Sequence, residues 1–411
     1  MALKKEQTDV IIVGAGVSGF LAAIAAARCG DHPLVLEKLG QPGKKLLATG
    51  NGRCNLMNLN APVYYGDTEF ANAVLGSGPV TELTEFWNSL GLRLRYDAEG
   101  RGYPCTFLAS TVLEVLKAEL RRLSVDIRVN TPVRALRIHG ERFSVTSESG
   151  DTFEADRVIL ATGGAAQPVL GGNTDAFSWL RETGHRVVNP VPSLTPLITD
   201  PRSVSGLSGL RVKCGLSVYT DGRELHREQG ELLFTEKGIS GICVMQCSRF
   251  VVPGRSVCGI RLVSDLCSGK DELLQELEAR RKRQVCNSPP ELLRGLCAPK
   301  MAYAVCKQAG LPLRGETAGK LTPEQLEKVA CALWEYRVRI VEREGFDRAQ
   351  VMAGGLDCRE VRPENMESVR CPGLHVTGEL LNVDGDCGGY NLMFAVMSGL
   401  KAGRNGRSEI R

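Results

Sequence analysis

Three glycines at fixed spacing, Gly14, Gly16 and Gly19, follow four apolar residues, Val10-Ile11-Ile12-Val13, and precede an Ala-rich stretch over residues 20–28. A strand, a glycine turn and a helix in that order can hold a dinucleotide phosphate. Gly14 permits the tight turn, Gly16 lets a pyrophosphate approach bare backbone, and Gly19 lets the helix pack closely on the sheet. Ala15 and Ser18 fill the positions between them. The helix presents free N–H groups and its positive end to the phosphates. A second short strand, Leu34-Val35-Leu36, leads to Glu37 and Lys38, with Glu37 lying 18 residues beyond Gly19. An acid there accepts hydrogen bonds from ribose hydroxyls and disfavours a 2′-phosphate. Lys4 and Lys5 ahead of an apolar run resemble a secretory leader, but Asp9 and the spaced glycines interrupt it, and Arg28 before Cys29 spoils a cleavage site.

A second chemical stretch covers residues 40–55. It is rich in Gly and basic residues and ends in Asn51, Gly52, Arg53, Cys54 and Asn55. Such a loop can wrap a cofactor, lining an anion with backbone N–H groups and offering Arg53 to a phosphate or carbonyl. Tyr103 could donate a proton from its hydroxyl; a core aromatic bonded to backbone explains it equally well. The 15 cysteines are scattered, with no C-x-x-C, and the five histidines show no metal-ligand spacing. Reduced thiols acting as small apolar residues, and no metal, are the expectation.

With 411 residues, the chain is long enough for two or three domains, and 43% hydrophobic content supports a large core. Basic and acidic residues nearly balance, 51 against 47, for a net +4. That balance gives no reason to expect a nucleic-acid partner. Arg280-Arg281-Lys282-Arg283 is a basic run of the kind that usually marks a solvated helix face. No apolar run is long enough to span a bilayer, so the expected location is the cytoplasm.

The elements that must position these residues can be read along the chain. Helices are expected over 80–95 and 110–123, with residues 101–106 as a turn between them. Strands are expected over 126–130, 133–138 and 142–147, and a buried strand over 157–162 ends at Gly163. Composition shifts at Asn189-Pro190-Val191-Pro192 to short strands over 194–198, 210–219, 231–234 and 258–263. Residues 271–284, 290–297, 300–309 and 323–343 read as helices. A strand over 351–355, another over 373–379 and a helix over 392–400 close the chain. The reading is an α/β protein: a discontinuous Rossmann-like domain (1–190 and 346–411) interrupted by a β-barrel (191–268) and a small helical domain (269–345).

Seven motifs carry a family resemblance: GAGVSG at 14–19, TGNGRCN at 49–55, ILATGG at 159–164, GELLFTEKGISG at 230–241, MAGGL at 352–356, ENMESV at 364–369 and GELLNVDGDCGGYN at 378–391. In this order they resemble the FAD-dependent flavoproteins called BaiN-like, YhiN-like or the aminoacetone oxidase family. The resemblance implies FAD as the dinucleotide. It places the first glycine turn, Glu37 and Lys38 on the adenosine half, with the backbone of Val133 at the adenine and Gly163 at the second glycine turn. Asn51, Gly52, Arg53, Cys54, Asn55, Gly378, Glu379, Gly389, Tyr390, Asn391 and Leu392 are placed toward the pyrophosphate, ribityl chain and flavin. Met57, Asn382, Ile242 and Met393 depart from the family's usual Thr, Asp, Pro and polar residues, mostly near the flavin end, which points to a different substrate.

Because the chain has a single GxGxxG unit and no C-x-x-C, a resident nicotinamide domain is not expected, and NAD(P)H would bind transiently at the flavin face. Three functions follow. The resemblance implies an NAD(P)H-dependent reductase of an activated C=C bond in a hydrophobic small molecule, such as a 3-oxo-Δ4 or Δ6 bile-acid steroid. The alternatives are a flavin oxidase of a small amine or metabolite, and an FAD-bearing factor that docks RNA or protein. Tyr103, Thr235 and Ser240 are the candidate substrate-side groups, with no catalytic acid assigned.

Overall fold

The computed structural model describes all residues except 1–4, 141, 264–265, 284–287, 314–316 and 408–411. Two compact units emerge, one built from residues 1–191 and 350–411, the other from 192–349.

The first unit is organised by a parallel sheet. Strand β1 (Lys5–Val13) is exposed on alternate residues at its start and wholly buried from Val10 onward. It is flanked by β2 (Pro33–Leu36) on one side and the strand Thr152–Leu160 on the other, both parallel to it. Asp126–Arg128 extends the sheet beyond β2, and Leu374–Val376 pairs with the last residues of Thr152–Leu160. The first residues of that same strand pair instead with the antiparallel hairpin Val133–His139 and Arg142–Ser147. Thus the end of the chain returns to complete a sheet begun by its first residues. This is the Rossmann-like arrangement expected from the sequence.

Helix α1 (Val17–Arg28) follows the glycine turn and is buried along nearly its whole length, mostly by Ala, Phe, Leu and Ile. The closing helix, Tyr390–Arg404, packs along it through small residues. A Cβ on Gly399 would lie 2.4 Å from the Ser18 carbonyl oxygen, and one on Gly403 would lie 2.3 Å from that of Ala22. Contact is therefore backbone to side-chain-free backbone, which only glycine permits at these distances.

In the second unit, six strands close a barrel in the order Leu197–Thr199, Gly238–Ser240, Arg223–Phe234, Arg211–Thr220, Ser256–Arg261 and Tyr336–Arg343. Helices Lys270–Arg283, Pro299–Gln308 and Pro323–Trp334 share one apolar core with it, through residues such as Leu216, Val338, Leu277 and Val305. The last barrel strand therefore follows the helices in sequence. Two expectations are corrected here. Residues 323–343 are not one helix: the helix stops at Trp334, and Tyr336, Val338 and Ile340 then alternate buried with exposed Arg337 and Arg339, the two-residue period of a strand. Residues 290–297 hold only a 3-10 turn, Pro289–Leu293, which starts on its two prolines and is followed by left-handed Gly295. In the first unit, residues 101–106 are likewise not simply a turn. Arg101–Pro104 is the central strand of a small sheet with Met57–Asn58 and Leu94–Tyr96.

One buried group makes the sheet acid-sensitive. His375 lies in Leu374–Val376, fully buried, with Nδ1 bonded to the Asn365 carbonyl at 2.9 Å. Burial, with the nearby Arg157 charge, lowers its pKa from the ordinary 6.5 to about 4. The neutral imidazole is the folded form, so its stabilising contribution is complete above about pH 6.5 and is lost as pH falls toward 4. Between pH 7 and 5 this one group is expected to lower stability by about 2 kcal/mol. His375→Gln should flatten that part of the stability–pH curve measured by denaturant unfolding; an unchanged acid slope would remove His375 as its source. Gly403→Val should cost about 2 kcal/mol or more, read as a lowered melting temperature, by forcing the closing helix off α1.

Candidate functional site

Packing gives each fingerprint glycine a separate reason. Gly14 has a left-handed φ of 104°, and a Cβ there would lie 2.5 Å from the Ala161 carbonyl oxygen. A Cβ on Gly19 would lie 2.0 Å from the Gly14 oxygen. At Gly16 the situation reverses: nothing stands within 4 Å of an added Cβ. Gly16 is the N-cap of α1, and no side chain caps it. The first-turn N–H groups, which lack helical partners, therefore border open space.

Glu37 fixes this turn to the end of β2. Its Oε2 accepts the Ala15 N–H and its Oε1 the Leu39 N–H, both at 2.8 Å. Only 8% exposed, the carboxylate still has acceptor sites beyond those two, since an ionised carboxylate offers about four. Adjacent backbone bonds continue the frame: Gly14 N–H to the Leu36 oxygen, Gly43 N–H to that of Ala15, and Thr131 N–H to that of Glu37, each at 2.8 Å.

A cavity of about 460 Å³ opens on these groups, within the range of small-molecule and cofactor sites. Gly14, Ala15, Gly16, Ser18, Glu37, Lys38, Val133, Gly163, Glu379, Asn391 and Leu392 line it. So do Lys44, Lys45 and Thr49 of the 40–55 loop, and residues the sequence reading did not assign: Thr131, Glu148, Asn173, Asp175 and Trp179. Most come from separate segments and carry no shared motif. Asn173 is the exception in part, because Gly171-Gly172-Asn173 is a glycine-rich turn, and a Cβ on Gly172 would lie 2.2 Å from the Ala166 oxygen. The Asn173 Oδ1 is buried with no hydrogen-bond partner. An open glycine at a helix N-terminus, an acid with spare acceptors and an orphaned amide oxygen on one cavity together fit a bound dinucleotide.

Other expected residues stand outside the lining. Gly19 and Gly378 act from behind; the Gly378 N–H donates to Ser398 Oγ at 3.0 Å. Gly389 is the N-cap of the closing helix, where a Cβ would lie 2.7 Å from both Asn55 Oδ1 and the Met57 oxygen. Tyr390 turns into the first unit's interior, where its carbonyl accepts the Tyr64 hydroxyl at 2.8 Å. The loop was expected to reach the cofactor through Asn51, Gly52, Arg53, Cys54 and Asn55, but its cavity lining stops at Thr49. Gly50 and Asn51 take left-handed conformations there, the Leu56 N–H bonds to the Gly102 oxygen at 2.8 Å, and the buried Asn55 Oδ1 has no hydrogen-bond partner. Cys54 is buried, which pushes its thiol up to about 12 and keeps it protonated.

Glu379 reaches the cavity, and its carboxylate also ties the wall together. Its Oε2 pairs with Lys45 Nζ at 2.7 Å and its Oε1 accepts the Met352 N–H at 2.9 Å. The carboxylate thereby joins two segments of the wall. Tyr103 does not line the cavity; burial pushes its phenol above the ordinary value, so it stays protonated. Thr235 and Ser240 belong to the second unit. Thr235 Oγ1 accepts the Gly238 N–H at 3.0 Å in a hairpin turn, and Ser240 pairs with Leu233 across the barrel.

The family model described as HI0933-like protein Rossmann domain matches residues 8–405. A 3-dehydro-bile acid delta(4,6)-reductase of Clostridium scindens is 38% identical, over 96% of this chain and 97% of that protein. A ribosomal RNA dihydrouridine synthase of Escherichia coli is 27% identical, over 95% of this chain and 96% of that protein. The solved structure of a 3-ketosteroid-delta4-(5alpha)-dehydrogenase from Rhodococcus jostii aligns over 97% of this chain and 96% of its own, at 16% identity and a TM-score of 0.49.

Removing the Glu37 carboxylate should release the glycine turn and the ribose contacts together. Glu37→Ala is expected to weaken FAD binding on the order of ten- to hundredfold, measured as flavin retained at limiting FAD. Full yellow occupancy in the variant would show that Glu37 does not serve the cofactor.

Proposed function

The chain belongs to the HI0933-like family and is an FAD-dependent oxidoreductase, and we propose that it reduces an activated C=C bond with electrons from NAD(P)H. The observation that carries the reading is the near full-length likeness to a bile-acid delta(4,6)-reductase in a chain whose cavity has the dinucleotide features described above. The second relative's name points to the same kind of bond change, because making dihydrouridine saturates a C=C bond conjugated to a carbonyl.

Bound FAD would supply the hydride chemistry. The chain's residues do the rest. Gly16 and the first turn of α1 offer N–H groups to phosphate oxygens. Glu37 accepts ribose hydroxyls while holding Ala15 and Leu39 in place. Lys45 and Glu379 brace the wall between the 44–49 and 351–356 segments. Glu379 is ion-paired and accepts an N–H, and Tyr103, outside this lining, is the candidate proton donor through its hydroxyl. With one glycine fingerprint in the chain, NAD(P)H would bind as a transient visitor at the flavin face.

A second reading, reduction of a uracil base in RNA, is favoured by the dihydrouridine synthase likeness. The near-neutral composition argues against it. The basic run also serves the fold, since Arg280 bonds Glu276 and the Arg294 carbonyl, and Arg281 bonds the Leu321 carbonyl.

The deciding experiment mixes the yellow protein anaerobically with NADH or NADPH and follows the flavin absorption band. Rapid bleaching, reversed by a 3-oxo-Δ4 steroid, is the expected outcome. Failure of either nicotinamide to bleach protein that dithionite does reduce would overturn the reductase reading. Reoxidation by uridine-containing RNA but not by enones would favour the second.

A further inference from the structure

A short loop joins one wall of the cavity to another. It springs from the second glycine turn, where its stem is fixed. The Ala165 N–H donates to Met352 Sδ at 3.4 Å, and the Asn173 N–H to the Gly164 oxygen at 3.2 Å. A Cβ on Gly172 would lie 2.2 Å from the Ala166 oxygen. Between these points the chain makes one 3-10 turn, Pro168–Leu170, that buries none of its residues. Its backbone bonds stay within the loop: the Gln167 oxygen accepts the N–H groups of Leu170 and Gly172 at 2.9 and 3.2 Å, and the Pro168 oxygen that of Gly171 at 2.9 Å. Left-handed residues bound the turn, Gln167 at φ 57° and Gly171 at φ 104°. Gln167 carries a Cβ, so this conformation is strained, and such residues gather at ligand clamps and switch segments.

The opposite wall is the 38–44 segment. A Cβ on Gly171 would lie 3.1 Å from Leu39 Cδ1, and Lys44 Nζ donates to the Val169 oxygen at 3.0 Å. Among the described residues, this is the only hydrogen bond that joins residues 168–170 to anything beyond their own loop. Packing does not hold the tip either, since Val169 is 79% exposed. The wall it lands on is tied to the first glycine turn by the Gly43 N–H, which donates to the Ala15 oxygen at 2.8 Å. Leu170, Gly171 and Gly172 line the cavity on one side of this crossing, and Lys38, Leu39 and Lys44 on the other. Pro168 and Val169 stand outside the lining.

We infer that residues 167–172 are a strap over the bound dinucleotide, hinged at Gln167 and Gly171 and latched by Lys44, and that its opening sets the rate at which FAD leaves. A segment with fixed stems, an unburied tip and one exposed latch opens locally at small cost while the packed floor beneath it stays intact. Because the latch joins protein to protein, it holds equally with and without cofactor. Loosening it therefore speeds entry and escape together and leaves affinity unchanged. The inference rests on FAD as the occupant and is independent of which substrate the flavin reduces.

The test mixes FAD-loaded protein with excess 8-chloro-FAD, whose absorption differs, and follows the first-order replacement of one flavin by the other. FAD affinity is measured separately by titrating flavin-stripped protein. Lys44→Met should exchange about fivefold faster, and Lys44→Arg, which keeps a charged donor, should return most of the way to the wild-type rate. Pro168→Gly, at a residue outside the lining, should exchange about threefold faster with FAD affinity within about twofold of wild type. Wild-type exchange rates in both Lys44→Met and Pro168→Gly would overturn the strap. So would faster exchange in Lys44→Met alone, matched by an equal loss of affinity, because Lys44 would then be a contact of the bound nucleotide and not a latch. Anaerobic bleaching of the loaded wild type by NADPH tests the reductase reading on a separate signal, so either failure is recognised for what it is.

Discussion

Close approach of backbone to backbone is the constraint on which the first unit depends. Gly19 lies against the Gly14 carbonyl, Gly14 against Ala161, and Gly399 and Gly403 against the backbone of α1. Each contact is shorter than any Cβ allows. Together they seat α1 against the turn of β1 and the strand Thr152–Leu160, and they bring the closing helix against α1 from the far end of the sequence. The open space at Gly16 exists because its neighbours are packed so tightly. A fold that relaxed these contacts by an ångström would keep its strands and lose the cradle.

The polar groups at the cavity follow from the same compactness. Buried N–H groups must find acceptors, and here two carboxylates supply them at points where separate segments meet. Glu37 takes the N–H groups of Ala15 and Leu39 and keeps acceptor capacity in reserve. Glu379 takes that of Met352 and the charge of Lys45. Two acids at one cavity thus tie different segments together, a difference that residue type cannot reveal.

The second unit shows how a local pattern can be outvoted. Leu326, Val329, Ala330 and Leu333 keep helical spacing, and a capping box at Thr322 and Gln325 with Pro323 starts that helix firmly. Past Trp334 the residues Tyr-Arg-Val-Arg-Ile alternate, and the chain turns into the strand that closes the barrel against Ser256–Arg261 and Leu197–Thr199. Read as one long apolar-periodic segment, 323–343 conceals this change of period. The alternation was legible, but the pairings that give it a purpose join residues from 76 to 146 positions apart.

By itself the sequence determined the local chemistry of the cofactor end. The turn at Gly14, Gly16 and Gly19, the acid at Glu37 and the parallel Rossmann-like core all follow from short-range spacing, because strand, turn and helix need only neighbouring residues to be specified. Tertiary structure alone decided what surrounds them. It gathered Thr131, Glu148, Asn173 and Trp179 onto the cavity from unrelated stretches. It bent the chain at left-handed Gly50 and Asn51, bound Glu379 to Lys45 across the wall, and left Phe107 standing at the surface. Those outcomes depend on long-range contacts and on which acceptors remain after the backbone is satisfied, and no window of sequence contains that information.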